Sequence, residues 1–170
     1  LLWIAAATII IASLVALQQD NLKRRLAYST ISQLSYIILG ALLANASSII
    51  GATTHIAMHA FGKITLFFCA GAILVATHKS EVSEMNGLGR RMPFTMGAFF
   101  IASISIAGLP PLGGLWSKWY LVLGSLDAGY GVLVGVLMLS TLLNIAYLLP
   151  IPIRADRKST RLNSSHALTS

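Results

Sequence analysis

Gly108-Leu109-Pro110-Pro111-Leu112-Gly113-Gly114 interrupts an apolar segment, Pro93–Leu126, that is otherwise almost free of polar residues. At about 1.5 Å per residue, that segment is too long for one straight membrane-spanning helix. Two prolines and three glycines in seven residues cannot continue a regular helix. The piece after the break, Leu115–Leu126, is too short to cross a bilayer alone. The pattern therefore predicts one discontinuous helix, broken at Gly108, Pro110, Pro111, Gly113 and Gly114.

Outward from this break, the chain divides into apolar runs of spanning length. Leu1–Leu17 (LLWIAAATIIIASLVAL) forms most of one span and is followed by a polar stretch, Gln18–Arg25. Leu26–Ala44 is the second run and ends at a small polar turn, Asn45–Ser48. Ile49–Thr77 is the third and holds two histidines and a lysine. His78–Met92 is a polar loop. After the broken segment, Gly129–Ile153 is the last span, expected to stop at Pro150, Pro152 and Arg154. Within it, Gly131-x-x-x-Gly135 could pack against a neighbouring helix. The expected fold is all-α, a polytopic membrane bundle of about five transmembrane helices.

Composition agrees with that class. Of 170 residues, 56% are hydrophobic and 10% charged, and the mean hydropathy is +0.78. A soluble domain carries about a quarter charged side chains, so too few remain here to cover a surface in water. The net charge of +7 points to no nucleic acid, because the basic residues sit between apolar runs rather than on one soluble patch. Cys69 is the only cysteine, so no internal disulfide forms, and no Cys/His spacing suited to a metal is present.

The charges also test the number of crossings. With five, Lys23, Arg24, Arg25, Lys79, Arg90, Arg91 and Arg154 all fall on one face, which the positive-inside rule assigns to the cytoplasm. Counting the broken segment as two crossings would strand Arg154 on the other face. Two basic residues are left within spans, Lys63 and Lys118.

Ionisable residues inside a membrane are costly and are functional candidates. His55, His59 and Lys63 are spaced by four, which places them on one helical face about 6 Å apart in rise. That is too far for direct hydrogen bonds along the axis, but suits side chains bridged by water. Histidine titrates near neutrality. Apolar surroundings disfavour the charged form of lysine, so a buried lysine can bind and release a proton. A lone buried histidine is more often a satisfied core residue than a relay member, and a lysine near a span end usually snorkels to the interface. Lys63 is the middle residue of its run, which argues against snorkelling. Lys118 follows the break in Trp116-Ser117-Lys118-Trp119-Tyr120, and discontinuous helices at membrane depth commonly line hydrated cavities. In an antiparallel bundle, Lys63 and Lys118 are expected at similar depth, where the charge of one would disfavour that of the other.

Four stretches carry a family resemblance: LKRRLAYSTISQ (Leu22–Gln33), HIAMHAFGK (His55–Lys63), GLGRRMP (Gly87–Pro93) and GLPPLGGLWSKWY (Gly108–Tyr120). In this order they resemble the antiporter-like subunits shared by respiratory complex I, Mrp-type cation/proton antiporters and membrane-bound hydrogenases, with the D-type subunit of Mrp antiporters as the nearest flavour. The family core has two inverted five-helix repeats, and this chain is similar to the second. The resemblance implies a proton path through Lys63 and Lys118, lined by His55 and His59. It further implies a multi-pass chain in the cell inner (plasma) membrane, with lipid, other subunits of a multisubunit complex, protons and Na+ as its partners. Asn21 departs from the family, which often has Asp there; Asp20 is adjacent and could keep a loop-capping role. No residues suggest binding of NADH, flavin, quinone or an iron–sulfur cluster, so no cofactor and no catalytic site are expected in this chain. If the parent is an NADH:quinone oxidoreductase, other subunits carry out the redox chemistry. A non-transporting scaffold or assembly remnant is the competing reading.

The two ends read differently. The chain opens within an apolar run, as a truncated sequence would. Asp156–His166 (DRKSTRLNSSH) resembles the in-frame translation of a sequencing adapter. The expected division is thus a bundle over 1–155 and a disordered, adapter-derived tail over 156–170. Without the tail, nine Lys/Arg stand against four Asp/Glu, a charge of +5.

Overall fold

The computed structural model describes residues 1–156, and every regular element among them is helical. In chain order these are α1 (Leu2–Gln18), α2 (Leu22–Leu43), α3 (Ala46–Thr77), α4 (Leu88–Arg91), α5 (Pro93–Ala107), α6 (Gly114–Asp127), α7 (Gly131–Leu148) and α8 (Pro150–Asp156), with a 3-10 turn at Val82–Glu84. The tail expected from Asp156 onward lies outside the described residues except for Asp156 itself, which ends α8.

The bundle buries a set of polar side chains among two apolar core clusters and is apolar on its outer surface. Ser13, Ser29, Ser32, Gln33, Ser103, Ser117, Ser140 and Asn144 are buried, whereas Ile4, Phe61, Phe68, Phe94, Trp116 and Leu142 are exposed. A protein in water does not present large apolar side chains from every long helix. In lipid the arrangement is favourable, because exposed apolar groups lose nothing and buried polar groups can pair within the protein.

Helix boundaries follow from their caps. α2 starts at Leu22, four residues before the apolar run, because the Asn21 side chain accepts from the Arg24 amide at 3.1 Å. Asp20 has a different task. Its carboxylate accepts from the Ser83 amide at 3.0 Å and the Ser83 hydroxyl at 2.6 Å, tying the 78–92 loop to the start of α2. Asn45 and Ser48 cap α3 reciprocally, and the Asn45 amide also donates to the Gly124 carbonyl at 2.7 Å, joining α3 to the end of α6. α7 ends at Leu148, just before Pro150, where the last span is expected to stop; Pro150 then takes the first position of the short α8, which suits proline. Gly131 and Gly135, which could have packed against a neighbour, face open space, with no atom of the described residues within 4 Å of a would-be Cβ.

The break falls where the prolines and glycines predict it. α5 and α6 have 15 and 14 residues, roughly 22 and 21 Å, and neither alone matches the ~30 Å hydrocarbon layer. Both run along α3 in sequence. Gly62 packs on Ala102 and Ile106 of α5, whereas Gly51 packs on Ser117 and Leu121 of α6. The two halves thus continue one direction and make a single crossing. Gly108 closes α5 at φ +82, and a Cβ there would also meet Lys118 Cδ at 2.9 Å. A Cβ on Gly114 would run into the Ser105 carbonyl oxygen. The glycines let the two halves nest and leave room for the lysine stem.

Candidate functional site

All four residues singled out in the sequence point into the bundle. Lys63 and Lys118 are 5% and 7% exposed, and His55 and His59 are 3% and 8% exposed. Neither lysine is on the outer surface of the bundle. Trp116 and Trp119, on the other side of α6, are.

Lys118 reaches back into the break. Its Nζ donates to the Ala107 carbonyl at 2.9 Å, an α5 carbonyl near the interruption, and lies 3.4 Å from Thr141 Oγ1 and 5.4 Å from the Tyr36 ring centre. Lys63 Nζ donates to Ser29 Oγ at 2.6 Å and to the Leu26 carbonyl at 3.1 Å. Every hydrogen-bond acceptor at these two amines is a neutral oxygen. A carboxylate partner would hold a buried lysine charged; carbonyls and hydroxyls leave both protonation states accessible.

His59 lies between the lysines, and His55 stands level with Lys118. His55 Nδ1 is 2.9 Å from Ser117 Oγ, and the Ser117 hydroxyl donates to the Gly114 carbonyl at 3.0 Å. With that hydroxyl proton on Gly114, the imidazole Nδ1 is the donor and Nε2 is left as an acceptor. The His55 and His59 rings stack at 5.9 Å, and Tyr36 stacks on His55 at 5.3 Å. A water-sized cavity opens beside them, lined by Gln33, His55, Met58, His59, Ser105, Ile106 and Gly114. His55 Nε2, His59 Nε2 and both amide heteroatoms of Gln33 are buried without a protein partner. Buried polar atoms of this kind are satisfied by water, and the cavity, at about 10 Å³, is the size of one.

One expectation fails on register. His55 pairs with Ser117, so Lys118 stands level with the His55 turn and not with Lys63. The contacts on α2 agree, since Lys63 meets Leu26 and Ser29 whereas Lys118 meets Tyr36. The lysines are thus about two helical turns apart, roughly 10 Å, and their direct electrostatic coupling is correspondingly weaker. His59 occupies the gap.

Sequence reasoning missed Ser29, Gln33 and Tyr36 on α2, Ser117 on α6, and Thr141, Asn144 and Tyr147 on α7. A signal was available. Residues 29, 33 and 36, and likewise 140, 144 and 147, recur at intervals of three and four within apolar runs, which puts each set on one helical face.

The matching family model is NADH:quinone oxidoreductase/Mrp antiporter, TM, over residues 1–144. The NADH-quinone oxidoreductase subunit N of Desulforudis audaxviator is 47% identical over 145 residues, 85% of this chain and 29% of the relative. The D-type subunit of the Na(+)/H(+) antiporter of Alkalihalophilus pseudofirmus is 35% identical over 151 residues, 85% of this chain and 31% of the relative. Of these two, the oxidoreductase relative is the more similar, against the D-type Mrp flavour read in the sequence. Among solved structures, the Mrp complex from Dietzia sp. DQ12-45-1b superposes with a TM-score of 0.87 at 28% identity, covering 93% of this chain and 30% of that one. Respiratory complex I from Thermus thermophilus with bound NADH superposes at 0.86 and 25% identity, covering 94% and 34%. The chain spans about a third of the length of these relatives.

Proposed function

The chain belongs to the NADH:quinone oxidoreductase/Mrp antiporter transmembrane family, and from that premise we propose that it is one proton-conducting repeat of an antiporter-like membrane subunit. Lys63 and Lys118 are the proton-holding groups, and His55 and His59 carry protons between them with water in the adjoining cavity. The basic loops lie on the cytoplasmic side of the cell inner (plasma) membrane. The parent works within a multisubunit complex, either a respiratory NADH dehydrogenase-type assembly or an Mrp-type antiporter in which Na+ is the counter-ion.

The observation that carries this reading is the pairing of two buried lysines with neutral acceptors among the described residues, in an interior that also holds a cavity lined by unpartnered imidazole and amide atoms. A scaffold without transport has no use for two buried bases, whose desolvation is costly. The test is a high-resolution cryo-EM map of the full-length protein in its complex. An ordered water is expected in the cavity, within hydrogen-bond reach of His55 Nε2, His59 Nε2 or the Gln33 amide. A dry, collapsed cavity would favour the scaffold.

A further inference from the structure

Lys63 has a second polar neighbourhood, on the side away from the histidines. Ser29 Oγ, which takes a hydrogen bond from Lys63 Nζ, lies 3.0 Å from the Tyr147 hydroxyl oxygen. Tyr147 in turn hydrogen-bonds to Asn144 Oδ1 one turn back on α7. Ser29, Tyr147 and Asn144 are all fully buried, and Asn144 Nδ2 has no protein partner.

Counting protons gives this chain a direction. An ammonium has no lone pair, so Ser29 must accept from it, and the serine's own proton must go elsewhere. The Tyr147 hydroxyl is within donating reach of both Ser29 Oγ and Asn144 Oδ1 but has one proton; when that proton goes to Asn144 Oδ1, the Tyr147 oxygen is left to accept from Ser29. In that order each hydroxyl proton has an acceptor and Asn144 Oδ1 has a donor. A neutral Lys63 can instead accept from Ser29; Tyr147 then donates to Ser29, and the Asn144 carbonyl loses its donor. A buried carbonyl without a donor is costly, so the loaded state of Lys63 is the better matched.

Neighbouring charge does not supply this preference. The titratable or charged groups turned inward near Lys63 are His59 and Cys69 on α3, Arg25 and Tyr36 on α2, Tyr147 on α7 and Lys118 on α6; beyond Arg25 stand the exposed Asp20 and Arg154. None of the inward groups is a carboxylate, and α1 and α5 carry no titratable side chain. Arg25 donates to the Tyr147 carbonyl at 3.1 Å, which holds that end of α7 against α2.

Building on the proton-conducting reading above, we propose that Ser29, Tyr147 and Asn144 are positioning residues for Lys63, holding it in its proton-loaded form and making α7 part of the device that sets when the proton is released. The experiment is proton uptake into inverted vesicles by the complex carrying the full-length protein, measured across the neutral and mildly alkaline range. Ser29→Ala and Tyr147→Phe should each move the alkaline fall in rate to lower pH, by on the order of one unit. Ser29→Thr should restore the original profile, and the double variant should move no further than either single one. If only one of the two single variants assembles, it decides alone. Failure of both to assemble would overturn the proposal, since the residues would then be packing elements. Lys63→Ala, run alongside, separates the two ideas. An inactive Lys63→Ala with unshifted Ser29→Ala and Tyr147→Phe profiles sinks the positioning role and leaves the conduction reading standing. A fully active Lys63→Ala sinks both.

Discussion

His55 Nδ1 sits 2.9 Å from Ser117 Oγ, so the histidine pair of α3 is fixed to the broken helix one residue before Lys118. Replacing Ser117 with alanine leaves a buried ring nitrogen without a partner. The expected cost is about 1–3 kcal/mol of stability, together with slower proton transfer. Thermal unfolding of the detergent-solubilised full-length protein checks the first part. An unchanged midpoint would mean that the imidazole finds water there at no cost.

The break and the last span offer a matched pair of glycines. Gly114→Ala drives a Cβ into the Ser105 carbonyl, where neighbouring backbone would have to move. Gly135→Ala meets nothing within 4 Å and replaces a poor helix former with a good one, a gain of up to about 1 kcal/mol. Gly114→Ala is expected to reduce the yield of folded protein severely and Gly135→Ala to leave it equal or higher. Comparable yields for the two variants would contradict the nested geometry of the break.

The tether between Asp20 and the loop is pH-dependent. Hydrogen bonds from the Ser83 hydroxyl hold the Asp20 carboxyl below its ordinary value, aided by the Ser83 amide and by Arg25 and Arg154. Because the folded-state value is depressed, the contribution is complete above pH about 4 and is lost as pH falls through the folded-state value. Asp20 is exposed, so the effect is local and small. Hydrogen-exchange protection of the Ser83 amide should stay level from neutral to mildly acidic pH, then fall in acid. Asp20→Asn should lose that dependence, and an identical acid fall in the variant would assign it to another group.

Much of this architecture was legible because backbone rules operate at the scale of whole segments. Prolines and glycines at 108–114 announce a break wherever they occur, and the one-sided basic loops fix the count of crossings. Lys63 and Lys118 were legible because a charge inside an apolar run is expensive. The register between helices was not, since it depends on which side chain meets which across a packed interface. The Ser117 contact that sets Lys118 level with His55 leaves no mark in α3 alone. Small hydroxyls were missed for another reason. Ser29 and Ser117 cost little in a membrane helix, where serine can return its proton to its own backbone, so they do not interrupt an apolar run. Asn144 and Tyr147 were hidden in the same way, by a span whose composition is otherwise aliphatic.

The central claim is that protons pass through this repeat by way of its two buried lysines. The most direct test is the initial rate of proton uptake into inverted vesicles by the full-length protein in its complex, with Lys63→Ala and Lys118→Ala compared at equal assembled amounts. Each substitution should cut the rate at least about tenfold, a change of ~1.4 kcal/mol or more in the barrier. His59→Ala should cut it only a few-fold, because water can take the place of one relay member. Both lysine variants pumping at the unsubstituted rate would contradict the account.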